Sequence, residues 1–210
     1  MFIENGKITK IERADSDKPI KERKSVNVIN SLGRHIYPGM IASNTVLGLT
    51  EIRAVRATRD MIESGDINPN VRAEVTVNPD SELLPVTRSN GGLHVLSVPQ
   101  SNGLIAGQSA LMKLDGWTWE EMTVKPSVGM HMRWPNVPDP GRALNAKQKK
   151  SLKEASDKTK LQLNKLEESF NRARAYLKAK NVGGSLQKTD LRGEAMEGGL
   201  AGTWPIYVHV

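Results

Sequence analysis

The alternation of apolar and polar residues predicts short strands in the first quarter of the chain. Phe2-Ile3 and Lys7–Ile11 flank Asn5-Gly6, a dipeptide typical of tight hairpins, and so predict a two-stranded ribbon. Ser25–Ile29 alternates in the same way and predicts another strand. Residues 38–47 then form an apolar run that ends in small polar side chains. A strand with such an end is a common place for catalytic or metal-binding groups.

Helical periodicity follows this strand and returns near the end of the chain. Apolar residues three or four positions apart predict a helix from Thr50 to Ile62, ended by Gly65. The same spacing predicts one long helix over residues 144–180. The largely apolar run over residues 204–210 predicts a final buried strand. The stripe on the long helix consists of Leu152, Ala155, Thr159, Leu163, Leu166, Phe170, Ala173 and Leu177. We expect this stripe to dock on the protein itself or on a second copy.

Shorter elements are predicted between these two helices. Strand patterns cover residues 73–77, 93–98 and 128–132, a helical or irregular stretch covers 83–88, and a helix start is predicted over 116–122. Residues 104–109 and 111–114 are mainly apolar runs that we assign to no element. Strands that alternate with helices indicate an α/β fold with a parallel sheet.

The positive charge of the chain belongs to one segment. The net charge is +7, and residues 147–180 hold eleven Lys or Arg but only four Asp or Glu. The rest of the chain is balanced. This helix could bind nucleic acid or acidic lipid, but a solvated basic face opposite an apolar stripe explains the charge more simply. Aromatic residues make up only 4% of the chain, which leaves few rings to stack on bases. We therefore expect no nucleic-acid partner.

Composition also bears on the compartment. No run of about 18 apolar residues exists, so no membrane span is predicted. The N-terminus lacks a basic region followed by an apolar core, which predicts a cytoplasmic protein if Met1 is the true start and leaves the periplasm open if the N-terminus is truncated. The absence of cysteine excludes disulfides and thiolate metal sites.

Four histidines are the candidate metal ligands and acid–base groups: His35, His94, His131 and His209. None has a partner at the spacing of a local metal motif. We interpret His35 as a surface residue, and His94 and His131 as core or loop histidines. His209 follows three apolar residues at the end of the last strand, where a role as a metal ligand is supported no better than a structural role. The glycines in residues 103–109 lack the Gly-Lys-Ser/Thr of a phosphate loop, so they predict turns.

Several segments together resemble the metal-dependent amidohydrolase superfamily, in particular its imidazolonepropionase-like branch. The opening ribbon and residues 33–41, GRHIYPGMI, match the family's entry into its first barrel strand. Further matches occur in the family's order and extend over essentially the whole chain: residues 48–52, 57–60, 78–82, 88–91, 114–119 and 204–209.

The resemblance implies a fold and a chemistry. It implies a partial (β/α)₈ TIM-type barrel over residues 38–210 that carries the long inserted helix 144–180. Residues 1–37 would contribute part of a small N-terminal β-sandwich. The implied reaction is hydrolysis of a carbon–nitrogen bond other than a peptide bond in a small-molecule substrate, by water activated on zinc or a similar divalent metal.

The same resemblance implies that the metal site is degraded. The family's first strand ends in His-x-His, and Asn44 and Val46 stand at those two positions, with Ala42 at the preceding Asp position. His209 matches the ligand of the fifth strand. Because a catalytic zinc takes three protein ligands as a rule, we expect impaired or absent catalysis and no tightly bound metal in this chain.

Two hypotheses therefore remain open. The first is an amidohydrolase-family protein that is catalytically impaired, and the second is a non-enzymatic binding or scaffold protein derived from one. The resemblance also predicts an incomplete fold, with an open barrel edge at residues 206–210 that favours homo-oligomers or aggregation.

Overall fold

The structure, a computed structural model, describes residues 1–13, 26–31, 33–139, 141, 145–182 and 188–210. The chain divides into two compact units, Met1–Pro38 and Gly39–Val210. In the first unit, strands β1 (Phe2–Glu4) and β2 (Lys7–Lys10) form the predicted antiparallel ribbon. Asn5 and Gly6 make its turn with φ values of 52° and 73°, as a tight hairpin requires.

The strand predicted over residues 25–29 is wrong for the part that the structure describes. Residues 26–31 have no strand structure, and Val26, Val28 and Ile29 are all more than half exposed. Residue 25 lies outside the described residues. An alternating pattern forms a strand only where a neighbouring strand accepts its hydrogen bonds, and no described strand does so here.

The second unit is a mixed α/β structure built on one curled five-stranded sheet. Its strands lie in sequence order: β3 (Met40–Thr45), β4 (Gly92–Ser97), β5 (Ile105–Lys113), β6 (Thr123–Arg133) and β7 (Ile206–His209). The two runs 104–109 and 111–114, which were assigned to no element, lie mostly in the single strand β5.

The expectation of a fully parallel sheet is wrong at its centre. The pairs β3–β4 and β6–β7 are parallel, but β4–β5 and β5–β6 are antiparallel. The connections explain the difference. Residues 98–104 and 114–122 are too short for a crossover, which needs about a dozen residues or more. The two longer connections, residues 46–91 and 134–205, do return the chain to a parallel strand.

Five helices accompany the sheet in the described residues: α1 (Leu83–Ser89), α2 (Trp119–Met122), α3 (Ala146–Asn181), α4 (Leu191–Ala195) and α5 (Glu197–Leu200). The short helices α4 and α5 were not predicted. The strand predicted over 73–77 is a 3-10 helix, Ala73–Thr76.

The helix predicted from Thr50 to Ile62 is also wrong. Only the 3-10 turn Arg56–Thr58 forms there. The Thr58 hydroxyl lies within hydrogen-bond distance of the carbonyl oxygens of Ile52 and Val55, at 3.0 Å from each, and Thr50 forms an antiparallel bridge with Arg59. These local bonds satisfy the backbone in a compact loop, so they compete with the helix.

Helix α3 docks on the protein itself. This was one of the two predicted alternatives, the other being a second copy of the chain. Asn145 caps its N-terminus in a reciprocal capping box with Gln148. Thr159, Leu166 and Ala173 are buried along the predicted stripe, whereas Ala155 is exposed, contrary to the prediction. Leu166 and Ala173 pack in one cluster with residues of the sheet and of the α4–α5 segment: Leu104, Ile105, Met130, Met132 and Met196.

Gly103 and Gly107 are needed for close backbone contacts. A Cβ on Gly103 would lie 2.4 Å from the Cα of Asp66, and one on Gly107 would lie 2.7 Å from the carbonyl oxygen of Val71. Gly107 lies within β5, at an irregularity in its pairing with β6 and with a φ of 134°, so it is a strand glycine and not a turn glycine.

A second cluster covers the other half of the sheet. Val95, Ala110 and Met112 of β4 and β5 pack in it with residues from the loops and short helices: Leu49, Met61, Ala73, Val77, Leu84, Leu114 and Met122. In the described ranges, no helix is both long enough and apolar enough to cross a membrane.

Candidate functional site

Four strands of the sheet end at the same edge. Because β3 is parallel to β4, β6 is parallel to β7, and β5 is antiparallel to both β4 and β6, the strands β3, β4, β6 and β7 all run in one direction. Their carboxyl ends therefore meet at one edge, which we call the carboxyl edge. This is the position where open α/β sheets bind ligands.

Two histidines meet close to the carboxyl edge. The Nδ1 atom of His131 lies 2.9 Å from the Nε2 atom of His209. Their rings are stacked, with centroids 5.2 Å apart and an interplanar angle of 23°. Tyr207 stacks on His131 as well, at 4.7 Å and 21°. His131 is buried and His209 half-buried. Solvent therefore reaches the pair through His209.

The strand register explains why these side chains meet. In the parallel β6–β7 pair, His131 lies opposite Tyr207 and Arg133 lies opposite His209. Side chains alternate along a strand, so His131 points away from the face that carries its neighbours Met130 and Met132. Those two methionines belong to the cluster that includes Leu166 of α3. The histidines therefore occupy the sheet face opposite α3.

Burial sets the protonation of His131. Burial first, and the electrostatic interaction with His209 second, together lower the pKa of the His131 imidazole to about 4. His131 is therefore neutral at pH 7. Its Nε2 atom is buried and has no hydrogen-bond partner among the described residues.

The two positions at which the resemblance expected first-strand ligands lie elsewhere in the sheet. Asn44 is exposed in β3, and Val46 follows that strand and packs against the cluster that contains Leu49. Three strands separate β3 from β7, so Asn44 and His209 lie on the first and the last strand of the sheet. Neither Asn44 nor Val46 has a side chain that binds zinc well.

The remaining histidines have other surroundings. His94 is half-buried in β4, opposite Lys113 of β5 and Ile41 of β3. His35 is exposed and belongs to the first unit, where its ring lies 6.1 Å from that of Tyr37.

The two histidines have the type of ligand atom that a transition metal prefers, but they are too few to complete a catalytic site. Imidazole nitrogen is a preferred ligand of zinc and copper, and His131 and His209 bring two such nitrogens together. The described part of the chain holds no group of three or more His, Cys, Asp or Glu side chains that could bind a metal. A catalytic zinc takes three protein ligands, so these residues alone do not complete one.

A cleft lies at the opposite edge of the sheet. This cleft, of about 530 Å³, contains Arg88, Asp115 and Trp117 in its lining. Arg88 forms an ion pair of 2.7 Å with Asp115, and the N–H of Trp117 donates to Oε2 of Glu121 over 2.9 Å. Trp117 is 88% exposed, an unusual position for a tryptophan side chain.

Comparison with known proteins supports the fold. The crystal structure of an amidohydrolase from Thermotoga maritima MSB8 superimposes with a TM-score of 0.74 and 22% sequence identity, over 90% of this chain. This chain spans 49% of that one, about half its length. No protein-family model and no curated protein matches the sequence. At this identity the likeness shows an amidohydrolase-like fold.

The sequence marks His131 only as a core or loop histidine and does not pair it with His209. Its partner lies 78 positions away in the chain, so no local spacing could reveal the pair. One signal was present, because His131 stands between Met130 and Met132 in a predicted strand. This alternation places a polar ring on the face opposite two core residues.

Proposed function

We propose that this chain is an amidohydrolase-family protein of the imidazolonepropionase-like branch, which acts on carbon–nitrogen bonds other than peptide bonds. The observation that carries this proposal is the fold shared with the Thermotoga maritima amidohydrolase, at a TM-score of 0.74 over 90% of the chain. A histidine pair near the carboxyl edge supports it, because this is where enzymes with such sheets place their chemistry.

The sheet would then be part of a barrel of the (β/α)₈ type, from which it departs at β5, because β5 is antiparallel to both of its neighbours whereas the strands of such a barrel are all parallel. β3 and β7 are its outer strands, and each has one strand neighbour among the described residues. In a closed barrel each would have two. Residues 1–37 would form part of the accompanying β-sandwich, of which the ribbon β1–β2 is described.

The residues of this chain have limited catalytic roles in the proposal. His209 would hold zinc or a similar divalent ion, which when bound supplies a Lewis acid that activates water. Asn44 and Val46 cannot replace the two first-strand imidazoles. Catalysis by this chain is therefore impaired, and it holds no metal tightly.

The alternative is a non-enzymatic binding protein with the same fold. One observation favours it, namely the exposed Trp117 beside the 530 Å³ cleft at the edge opposite the histidines. Glu121 accepts a hydrogen bond from the backbone N–H of Trp117, and tryptophan is enriched among the residues that contribute most to binding surfaces. In this alternative the cleft recruits a ligand without chemistry.

Elemental analysis and a hydrolysis screen on the longest natural form of the protein distinguish the two. Hydrolysis of amide, lactam or cyclic carbon–nitrogen substrates that is lost in His209→Ala and kept in Trp117→Ala supports the enzyme. Ligand-induced thermal stabilisation that is lost in Trp117→Ala, without turnover, supports the binding protein.

Metal content tests the impaired site. The 210-residue chain, purified without chelator, should contain well under one zinc per chain. One equivalent of metal that survives dialysis against EDTA would contradict the proposed loss of ligands at Asn44 and Val46.

A further inference from the structure

A groove of about 650 Å³ lies between the sheet and the α4–α5 segment. Its lining includes Arg72, Gln108 and Trp204 together with residues of α4 and α5. Gln108 pairs with Met130, which belongs to the cluster that includes Leu166 of α3. Side chains of directly paired residues lie on the same face of a sheet. The groove is therefore on the α3 face, opposite the face of the two histidines.

Gln108 presents an acceptor of fixed direction to this groove. The residue is 6% exposed, and its Nε2 donates to the carbonyl oxygens of Pro69 and Ala195 over 3.1 and 2.9 Å. These two bonds use both amide hydrogens, so they determine which end of the amide is nitrogen. The Oε1 atom accepts no hydrogen bond from the described residues. Because a buried acceptor is nearly always hydrogen-bonded, the donor for this oxygen has to come from the groove.

Arg72 supplies a donor beside this acceptor. Arg72 and Gln108 are partners in an isolated parallel bridge, so their backbones run about 4.8 Å apart. The Nε and Nη2 atoms of Arg72 both bind Oε1 of Glu74 over 2.7 Å, and Glu74 is fully buried. The Nη1 group has no hydrogen-bond partner among the described residues. The ion pair thus fixes the guanidinium and leaves an N–H group for a ligand.

The charges around the groove favour a neutral ligand. Glu74 balances the charge of Arg72. Glu194 and Glu197, which also line the groove, share Lys180 at 3.1 and 3.8 Å. These groups contain one more carboxylate than cation, which disfavours an anion. An ammonium ion would offer no acceptor to Arg72, whereas an amide has both a donor and an acceptor.

The adjacency of donor and acceptor selects the kind of amide. A trans peptide bond places its N–H and its C=O on opposite sides, whereas a primary or a cyclic amide presents both on one edge. Trp204 adds an aromatic wall that packs tightly on α5, since a Cβ on Gly199 would lie 2.7 Å from the Trp204 Cζ3 atom. An aromatic side chain of this kind combines a large apolar surface with a polar N–H.

We propose that this groove binds a small neutral molecule with a primary or cyclic amide group. The N–H of the ligand donates to Oε1 of Gln108, its carbonyl oxygen accepts from Nη1 of Arg72, and its apolar part packs against Trp204. The groove and the histidine pair lie on opposite faces of the sheet, so this is a ligand site beyond the proposed function and does not rest on it.

Matched small probes test the proposal on the purified 210-residue chain. Pyrrolidone is a cyclic amide, and N-methylpyrrolidone is the same ring without the N–H. Propionamide and propionate compare a primary amide with an anion of the same shape. Proton–nitrogen correlation NMR follows the indole N–H of Trp204 and the side-chain amide of Gln108. Ala201→Phe adds a ring at an exposed position of the groove, and Ala155→Phe, at an exposed position of α3, is the matched control.

We expect pyrrolidone to bind with a millimolar Kd, as suits so small a ligand. N-methylpyrrolidone should bind about tenfold more weakly, because one hydrogen bond is lost. Propionamide should bind and propionate should not. Ala201→Phe should abolish the binding of pyrrolidone, and Ala155→Phe should leave it unchanged, with circular dichroism as the check that both variants are folded.

Equal affinity for the two pyrrolidones would overturn the proposal, as would the lack of a saturable shift with pyrrolidone or undiminished binding by Ala201→Phe. Shifts that centre on His209 instead of Gln108 would also overturn it. The readout involves no hydrolysis, so a failure here leaves the proposed function standing.

Discussion

The central strand β5 and the outer strands β3 and β7 have similarly apolar sequences but opposite surroundings. Residues 105–110 of β5 are all buried, whereas Met40 and Ile41 of β3 are each 61% exposed and Val208 of β7 is 52% exposed. β5 has a strand on either side and a cluster on one face, while β3 and β7 have one neighbouring strand each in the described ranges. An apolar strand pattern thus predicts the element but leaves open what covers it.

The largest effect should come from the helix that covers the centre of the sheet. Leu166→Asp places a carboxylate in the cluster formed by α3 with β5 and β6, where Leu166 is 4% exposed. Lost burial and an unpaired charge should together cost more than about 3 kcal/mol of unfolding free energy. Urea unfolding followed by circular dichroism measures this cost.

The exposed face of the same helix supplies the control. Lys158→Glu should change the unfolding free energy by less than about 0.5 kcal/mol, as is usual for surface substitutions. If Lys158→Glu unfolds the protein while Leu166→Asp leaves it intact, the buried and solvent faces of α3 have been exchanged.

A matched pair of isoleucines compares the two kinds of strand directly. Ile105 of β5 is fully buried and Ile41 of β3 is 61% exposed. Ile105→Ala should cost about 2–5 kcal/mol through lost contacts and the cavity that remains, and Ile41→Ala well under about 1 kcal/mol. Equal costs in denaturant unfolding would mean that β3 is covered in solution.

A smaller effect is expected where α3 contacts α4. The Tyr176 hydroxyl donates to Oε1 of Glu194 over 3.0 Å, and Lys180 binds the same oxygen over 3.1 Å. The Lys180 ammonium, and after it the Tyr176 hydroxyl, lower the pKa of the Glu194 carboxyl. Tyr176→Phe should cost about 1 kcal/mol, because Lys180 still pairs with the carboxylate. Tyr37→Phe, at a 77% exposed position, should change nothing, and a cost as large as that of Tyr176→Phe would refute this account.

The smallest effect on stability should occur at the outer strands, where association is the informative measurement. Open strand edges with exposed apolar residues favour pairing between molecules. The double variant Ile41→Lys, Val208→Lys should leave the unfolding free energy within about 0.5 kcal/mol of the parent. It should nevertheless reduce oligomers in size-exclusion chromatography and analytical ultracentrifugation. A parent chain that is already monomeric at high concentration would contradict this association.

Local signals in the sequence were sufficient for several elements. Asn5-Gly6 specifies its hairpin because both residues adopt positive φ values. The capping residues Asn145 and Gln148 and the apolar stripe from Leu152 to Leu177 specify α3, whose bounds agree with the prediction to within two residues at its start and one at its end. In each case, the interactions that decide the structure are made by residues close together in the chain.

Contacts between distant residues decided the rest, and for that reason only the tertiary structure could show them. The strand directions at the centre of the sheet depend on short connections that fold back as antiparallel pairs. The apolar residues from Thr50 to Ile62 had the spacing of a helix, but the bonds of Thr58 and the bridge to Arg59 closed a loop instead. His131 and His209 meet only because β6 and β7 pair in one register across 78 residues, and the order of residues along a chain does not itself specify such a register.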